Sequence, residues 1–241
     1  MTQRILFVLT STARMGESGE PTGLWLEEFT VPYFAMRDAG HRIDVVSIAG
    51  GAVPIDPRSI GGESAQVPEN QRYRDEPELA EMMRSTRSVQ QVNVAEYDGA
   101  FLPGGHGTMW DLPDNRVLAR GISQMFTAGK PVAAVCHGPA GLIGATLPDG
   151  RPLVAGRWVS AFTTEEERAV GLENKVPFLL DEKLAALGAR LVKGEPFTPV
   201  AVAHGNLITG QNPQSAREAA GLVIAALERR DACEPVHQAA G

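Results

Sequence analysis

Short, largely apolar runs recur along the chain, separated by stretches in which apolar residues return at helical spacing. This alternation is the strongest constraint on the fold. The runs at 4–9 (RILFVL), 42–48 (RIDVVSI), 97–103 (YDGAFLP) and 131–135 (PVAAV) have strand length. They are too continuously apolar for a sheet with one wet face, so they read as strands buried on both sides. Strands that alternate with helices pair in parallel through crossovers, and the helices cover both faces. The pattern therefore predicts an α/β fold built on a doubly wound, mostly parallel sheet. Helices are expected at 24–39, capped by Thr22 or Gly23 and ended by Gly40, and at 77–85. Further helices are expected from a cap at Asp114 to Gly129, directly after Cys136, ending near Gly188, and at 213–229. Later strands are expected at 189–193, 199–203 and 206–209, with a β arm at 151–161. Residues 49–74 form a long inserted loop rich in Gly, Pro and Ser, and loops of that length in a compact domain are often functional. Residues 1–229 are expected to make one domain, and 230–241 a disordered tail.

Composition removes several classes of function. The 241 residues carry a net charge of -7 and no long basic run, which argues against nucleic acid and anionic membranes as partners. No apolar stretch approaches bilayer length. The chain enters its first strand without a signal-peptide pattern, so a cytoplasmic location is expected. Two cysteines, Cys136 and Cys233, make no disulfide framework. The five histidines lack metal-ligand spacing, and the glycine turns lack nucleotide-binding patterns, so neither a metal nor a cofactor is expected. His41 and His237 read as surface residues, and His204 as part of a hairpin turn at His204-Gly205-Asn206.

One segment carries chemistry. Val132-Ala133-Ala134-Val135 leads straight into Cys136-His137-Gly138-Pro139. A buried strand that ends in a reactive side chain and two turn formers has the form of a nucleophile elbow, with sulfur in place of a serine oxygen. Such an elbow lifts the side chain above the carboxyl ends of the strands, where doubly wound folds bind ligands. A following helix N-terminus would favour the thiolate and lower its pKa. A second glycine turn, Leu102-Pro103-Gly104-Gly105-His106-Gly107, also follows a strand. An N–H from this turn, with that of His137, could form an oxyanion hole. His106 could line the pocket or cap the turn, and Trp110 is a further candidate for the cleft.

TGLWLEE, LPGGHGTMWDLP, AVCHGPAG and NLITGQNPQSA, in that order, resemble the ThiJ/PfpI superfamily over residues 3–228. The resemblance implies the flavodoxin-like fold of the class I glutamine amidotransferases. Within the superfamily the chain resembles the branch of heat-inducible chaperones and glutathione-independent glyoxalase III enzymes. That resemblance places the nucleophile at Cys136 and its histidine at His137. The triad acid is the fifth residue after Phe162, Glu167, with Glu165 or Glu166 reading as a solvated helix start. A buried carboxylate is the fifth residue after Gly23, Glu28. Gly105, His106, Gly107 and Trp110 are the expected oxyanion-hole and pocket residues. The implied activity is lactate-forming conversion of methylglyoxal and related 2-oxoaldehydes by a cofactor-independent lyase, in a homodimer. A cysteine hydrolase (amidase, peptidase or deglycase) keeps the same nucleophile. A holdase chaperone or an oxidative sensor needs no turnover, and its apolar surface would lie at 49–74 or 151–161.

Overall fold

The computed structural model describes residues 2–233. Strand β1 (Arg4–Leu9) leads into helix α1 (Leu26–Asp38), and β2 (Arg42–Ser47) follows. Helices α2 (Pro68–Asp75) and α3 (Pro77–Arg84) precede β3 (Arg87–Ser88) and β4 (Gly99–Leu102). A single turn α4 (Thr108–Asp111) and α5 (Arg116–Thr127) connect to β5 (Val132–Val135). Then come β6 (Trp158–Val159), α6 (Thr164–Ala169), α7 (Leu180–Ala186) and β7 (Arg190–Leu191). The hairpin β8 (Ala201–His204) and β9 (Leu207–Gly210) and the helix α8 (Ala216–Cys233) complete the described chain.

The main sheet has the order β3-β2-β1-β4-β5-β9-β8, parallel except where β8 runs against β9. Successive strand residues point to opposite faces, and each face has its own core. Ile5, Phe7, Leu9, Phe101, Ala133 and Val135 pack with Phe29, Phe34, Val223 and Leu227 of α1 and α8. Leu6, Val8, Leu102, Val132 and Ala134 pack with Leu118, Ile122 and Met125 of α5 and Leu184 of α7. The expected architecture is therefore observed. The order of strands turns back between β1 and β4, and the carboxyl ends of β4 and β5 lie side by side next to that point.

Several local expectations are corrected. Helix α1 begins at Leu26, because Leu24 is bridged to Ile55 and Thr22 Oγ1 bonds Asp56 instead of capping a helix. Asn115, not Asp114, caps α5, accepting the Leu118 N–H at 2.9 Å. The 49–74 loop is ordered by 3-10 turns at Pro57–Ser59 and Gly62–Gln66 and by α2. Buried Asn70 ties it down, accepting from Thr30 Oγ1 at 2.6 Å and donating to Ser64 O at 2.8 Å. The β arm shrinks to β6, which pairs with β7 in a separate two-stranded sheet, so the strand expected at 189–193 never joins the main sheet. His41 is buried rather than on the surface, and its Nδ1 accepts from the Gln3 N–H. Residues 230–233 lie in α8, while 234–241, with His237, fall outside the described residues.

Candidate active site

Cys136 sits one residue beyond β5 at φ 57, one of two non-glycine residues with positive φ among those described. A bulky L residue adopts this conformation only where its surroundings impose it. Here the Cys136 N–H donates to Gly210 O and its carbonyl accepts from the Phe162 N–H, both at 2.9 Å. The elbow also needs glycine next door: a Cβ on Gly138 would overlap the Leu102 carbonyl. The elbow itself matches its expectation, but the helix after it does not. Gly138-Pro139-Ala140-Gly141 is a poor helical start, and the chain makes only a 3-10 stretch over Gly138–Leu142.

That difference changes the electrostatics. A five-residue 3-10 stretch supplies little dipole, and Cys136 is only 4% exposed. Burial pushes the Cys136 thiol well up, and the adjacent Glu28 carboxyl pushes it further; the Gly105 N–H offsets only part of this. The lowered thiol pKa expected from a helix N-terminus is not found, and the resting group is a thiol.

His137 is wholly buried, with Nδ1 3.3 Å from Cys136 Sγ and Nε2 2.8 Å from Glu167 Oε2. Cysteine, histidine and carboxylate thus stand in the order of a nucleophile, a base and its orienting acid. Glu167 is delivered from the first turn of α6. Burial alone would raise its pKa, but His137 and His106 outweigh burial and hold the carboxyl well below the usual range. Glu165 is exposed and faces Lys193 at 3.6 Å, as expected of a solvated helix start. Glu166, however, is fully buried. It forms a capping box with Thr163, and its Oε1 accepts from Phe197 N, Gln211 Nε2 and Asn212 Nδ2 at 2.8–3.1 Å. It is a structural node that joins three segments behind the site.

Glu28, from the first turn of α1, reaches the cysteine from the other side. Its Oε2 accepts the Gly104 N–H at 2.7 Å, and Oε1 has no nitrogen or oxygen partner. Burial raises its pKa well above normal, against weaker opposing bonds from Cys136 and Gly104, so the site favours its protonated form. Glu27 is only half-buried and stands near Glu69 instead.

The cavity over Cys136 measures about 190 Å³ and is lined by Trp25, Arg58, Gly105, His106, His137 and Phe162, with Val170, Phe197, Pro213 and Gln214. Gly105 and His106 therefore lie where the sequence placed them. Gly105 (φ +91) has to be glycine, because a Cβ there would overlap the Gly23 carbonyl. Gly107 and Trp110 do not line the cavity. The Gly107 N–H turns to Gly23 O at 3.4 Å, and Trp110 packs on the core beside Gly16, because α4 rotates both away. Arg58, Trp25, Phe162 and Phe197 were missed. The length of the 49–74 insertion was the one available signal for Arg58.

Glu167 is shared. His106 Nε2 lies 2.8 Å from its Oε1, and the two imidazole rings stand 4.0 Å apart. Ligand-type atoms of His106, His137 and Glu167 all fall within 4.8 Å of one another, a convergence invisible in sequence spacing. Each imidazole nitrogen facing Glu167 is at hydrogen-bond distance from a carboxylate oxygen, so the three side chains form one hydrogen-bonded line. A larger cleft of about 490 Å³ along α5, lined by Val92, Arg116 and Arg120, shares no residue with this site. No helix among the described residues is long and apolar enough to cross a membrane.

Known proteins resemble the chain over nearly its whole length. The chain is 29% identical over 234 residues to the glutathione-independent glyoxalase HSP31 of Saccharomyces cerevisiae, covering 94% of this chain and 98% of that one. The crystal structure of glyoxalase III from Candida albicans superposes with a TM-score of 0.81 at 29% identity, covering 93% and 97% of the two chains. The rapid encystment protein of Francisella tularensis gives 0.90 at 36%, covering 94% and 99%. Residues 22–226 match the DJ-1/PfpI family, and the chain belongs to it.

Proposed function

We propose that the protein is a glutathione-independent glyoxalase that converts small 2-oxoaldehydes such as methylglyoxal to 2-hydroxy acids. The observation that carries this reading is one buried thiol with Glu28, whose pKa is raised, on one hand and His137, oriented by Glu167, on the other, in a cavity of about 190 Å³. Intramolecular proton transfer needs both a donor and an acceptor at the reacting carbons, in a site shielded from water. The names of the relatives point the same way.

The residues support a balanced sequence. His137 Nδ1 takes the Cys136 proton as sulfur attacks the aldehyde carbon, and Glu28 protonates the aldehyde oxygen, giving a hemithioacetal. Glu28, now a carboxylate, removes the hydrogen on that carbon while His137 protonates the neighbouring carbonyl oxygen, giving an enediol. Glu28 returns its proton to the second carbon, and His137 takes the proton from the first hydroxyl. The product is a thioester of a 2-hydroxy acid. After the proton passes from His137 back to Glu28, His137 activates a water that hydrolyses the thioester and restores the thiol. The Gly105 N–H faces sulfur and the oxygen that develops beside it. Glu167 keeps the His137 ring oriented throughout.

The cavity is smaller than the roughly 300–1,000 Å³ of pockets that hold drug-sized ligands, which favours three-carbon substrates over an extended peptide. The 49–74 and 151–161 segments each expose a single large apolar side chain, Ile60 and Trp158, which is little surface for a holdase. A cytoplasmic setting, which would keep the thiol reduced, and a homodimer belong to the same proposal. The test is to supply methylglyoxal without glutathione or metal and follow lactate. Turnover by wild type and none by Cys136→Ala is expected, and an inert wild type would sink the proposal.

A further inference from the structure

We propose that Arg58 is a positioning residue: it dictates which nitrogen of His106 carries a proton, and through His106 and Glu167 it sets the proton arrangement at His137 and Cys136. The proposal rests on the reading of Cys136 as nucleophile and His137 as its base.

Arginine can only donate. Arg58 Nη2 lies 3.2 Å from His106 Nδ1, so that nitrogen must present a lone pair. Burial and the neighbouring His137, with a contribution from Arg58, hold the His106 pKa down to about 4, so the ring is neutral at physiological pH. Its one proton therefore sits on Nε2 and is donated to Glu167 Oε1 at 2.8 Å. The ionised Glu167 accepts at its other oxygen too, which puts the His137 proton on Nε2 at 2.8 Å. With that proton on Nε2, it is Nδ1 of His137 that faces sulfur, at 3.3 Å. The obligate donor at one end fixes the His106 proton, and the acceptor Glu167, which His106 then serves as a donor, fixes that of His137.

Arg58 is itself held in place. Its Nε and Nη2 form a fork on Asp56 at 2.9 and 2.6 Å, and its backbone N–H adds a third bond at 2.9 Å. Asp56 is wholly buried and braced by Thr22 Oγ1 at 3.0 Å. Asp56 lies behind Arg58, and the titratable groups that face His106 are Arg58 from the inserted loop, His137 from the elbow and Glu167 from α6. The insertion between β2 and β3 therefore closes the network, which explains why a chain of this fold orders so long a loop. Without Arg58, His106 is free to carry its proton on Nδ1. It would then turn a lone pair on Glu167, and the carboxylate would lose a donor.

The test compares Arg58→Met, Arg58→Lys, His106→Phe and the double variant Arg58→Met/His106→Phe. Long-range proton–nitrogen spectra of the histidine rings, recorded without substrate, are expected to show His106 protonated on Nε2 in wild type. Arg58→Met should give a mixture or the Nδ1 form, and Arg58→Lys, which keeps a donor, should restore the wild-type form at least in part. The kcat of Arg58→Met is expected to fall about 10- to 100-fold, as when an outer partner that orients a working side chain is removed. The double variant should be no slower than His106→Phe, since both act through one path. An unchanged His106 tautomer in Arg58→Met, losses that multiply in the double variant, or a rise in KM alone would overturn the proposal. If Arg58→Met does not fold, Arg58→Gln, whose amide can accept as well as donate, takes its place and should show a mixed His106 tautomer; a pure Nε2 form would overturn the proposal. The spectra and the rate of Cys136 alkylation by iodoacetamide are read on the resting protein. An inert wild type would therefore refute the glyoxalase reading without touching this measurement.

Discussion

Glu28 stands beside Cys136 and Glu167 beside its neighbour His137, each from the first turn of a helix and each nearly without solvent. Their pKa shifts are opposite. Glu28 has one backbone N–H and a thiol for company, so burial wins and the protonated form is favoured. Glu167 has a histidine on each oxygen, so its partners win and it stays ionised. Residue type and burial are alike in the two. What differs is the number and kind of donors, and that alone separates a proton carrier from an orienting anion.

The most damaging change should be Glu28→Gln. A loss of kcat within the roughly 10²–10⁴-fold range of general acid–base catalysis is expected. Stability should respond in the opposite sense. A raised carboxyl pKa stabilises the fold below its unfolded value and withdraws that support as pH rises through the folded value. Thermal denaturation of Glu28→Gln should therefore gain on wild type as pH rises above about 4.5, where an ordinary carboxyl titrates. Retained activity would end the role assigned to Glu28.

Glu167→Gln comes next, with kcat expected to fall about 10²-fold or more, since the base loses the partner that fixes its tautomer. Its pKa is depressed in the fold, so its stabilisation is present above the unfolded value and fades as pH falls toward the folded one. The melting temperature of Glu167→Gln should lie below wild type at pH 7, and the gap should narrow below about pH 4.5, where an ordinary carboxyl begins to titrate. A gap that does not change with pH would mean that packing, not charge, holds Glu167.

A smaller effect should appear in the thiol. Where pH is high enough to ionise Glu28, its charge pushes the Cys136 pKa up, so alkylation by iodoacetamide should there be faster in Glu28→Gln than in wild type, about tenfold for each unit of pKa released. No change would assign the raised thiol to burial alone. Glu166→Gln should move activity least. Gln cannot accept as many bonds as the carboxylate, and a loss of about 1–3 kcal/mol is expected in denaturant unfolding.

The amino-acid order by itself determined the layers and the elbow that carries Cys136. Apolar runs buried on both faces have one economical arrangement, and a strand that ends in Cys136-His137-Gly138-Pro139 has to turn where it does, because Gly138 passes against the Leu102 carbonyl. The resemblance also located Glu28 and Glu167, since each lies a fixed count beyond a recognisable motif. Local signals failed where neighbours along the chain were equivalent. Asp114 and Asn115 are both good caps, and Glu165, Glu166 and Glu167 are chemically identical. Only the tertiary structure decided that one of those glutamates meets His137, one is a buried node and one faces solvent. It also brought Arg58 from a distant insertion to His106, turned Trp110 and Gly107 away, and replaced the dipole of a full helix with a short 3-10 stretch. These outcomes depend on which groups share a desolvated space. Proton states follow from that sharing, and no spacing along a single chain encodes it.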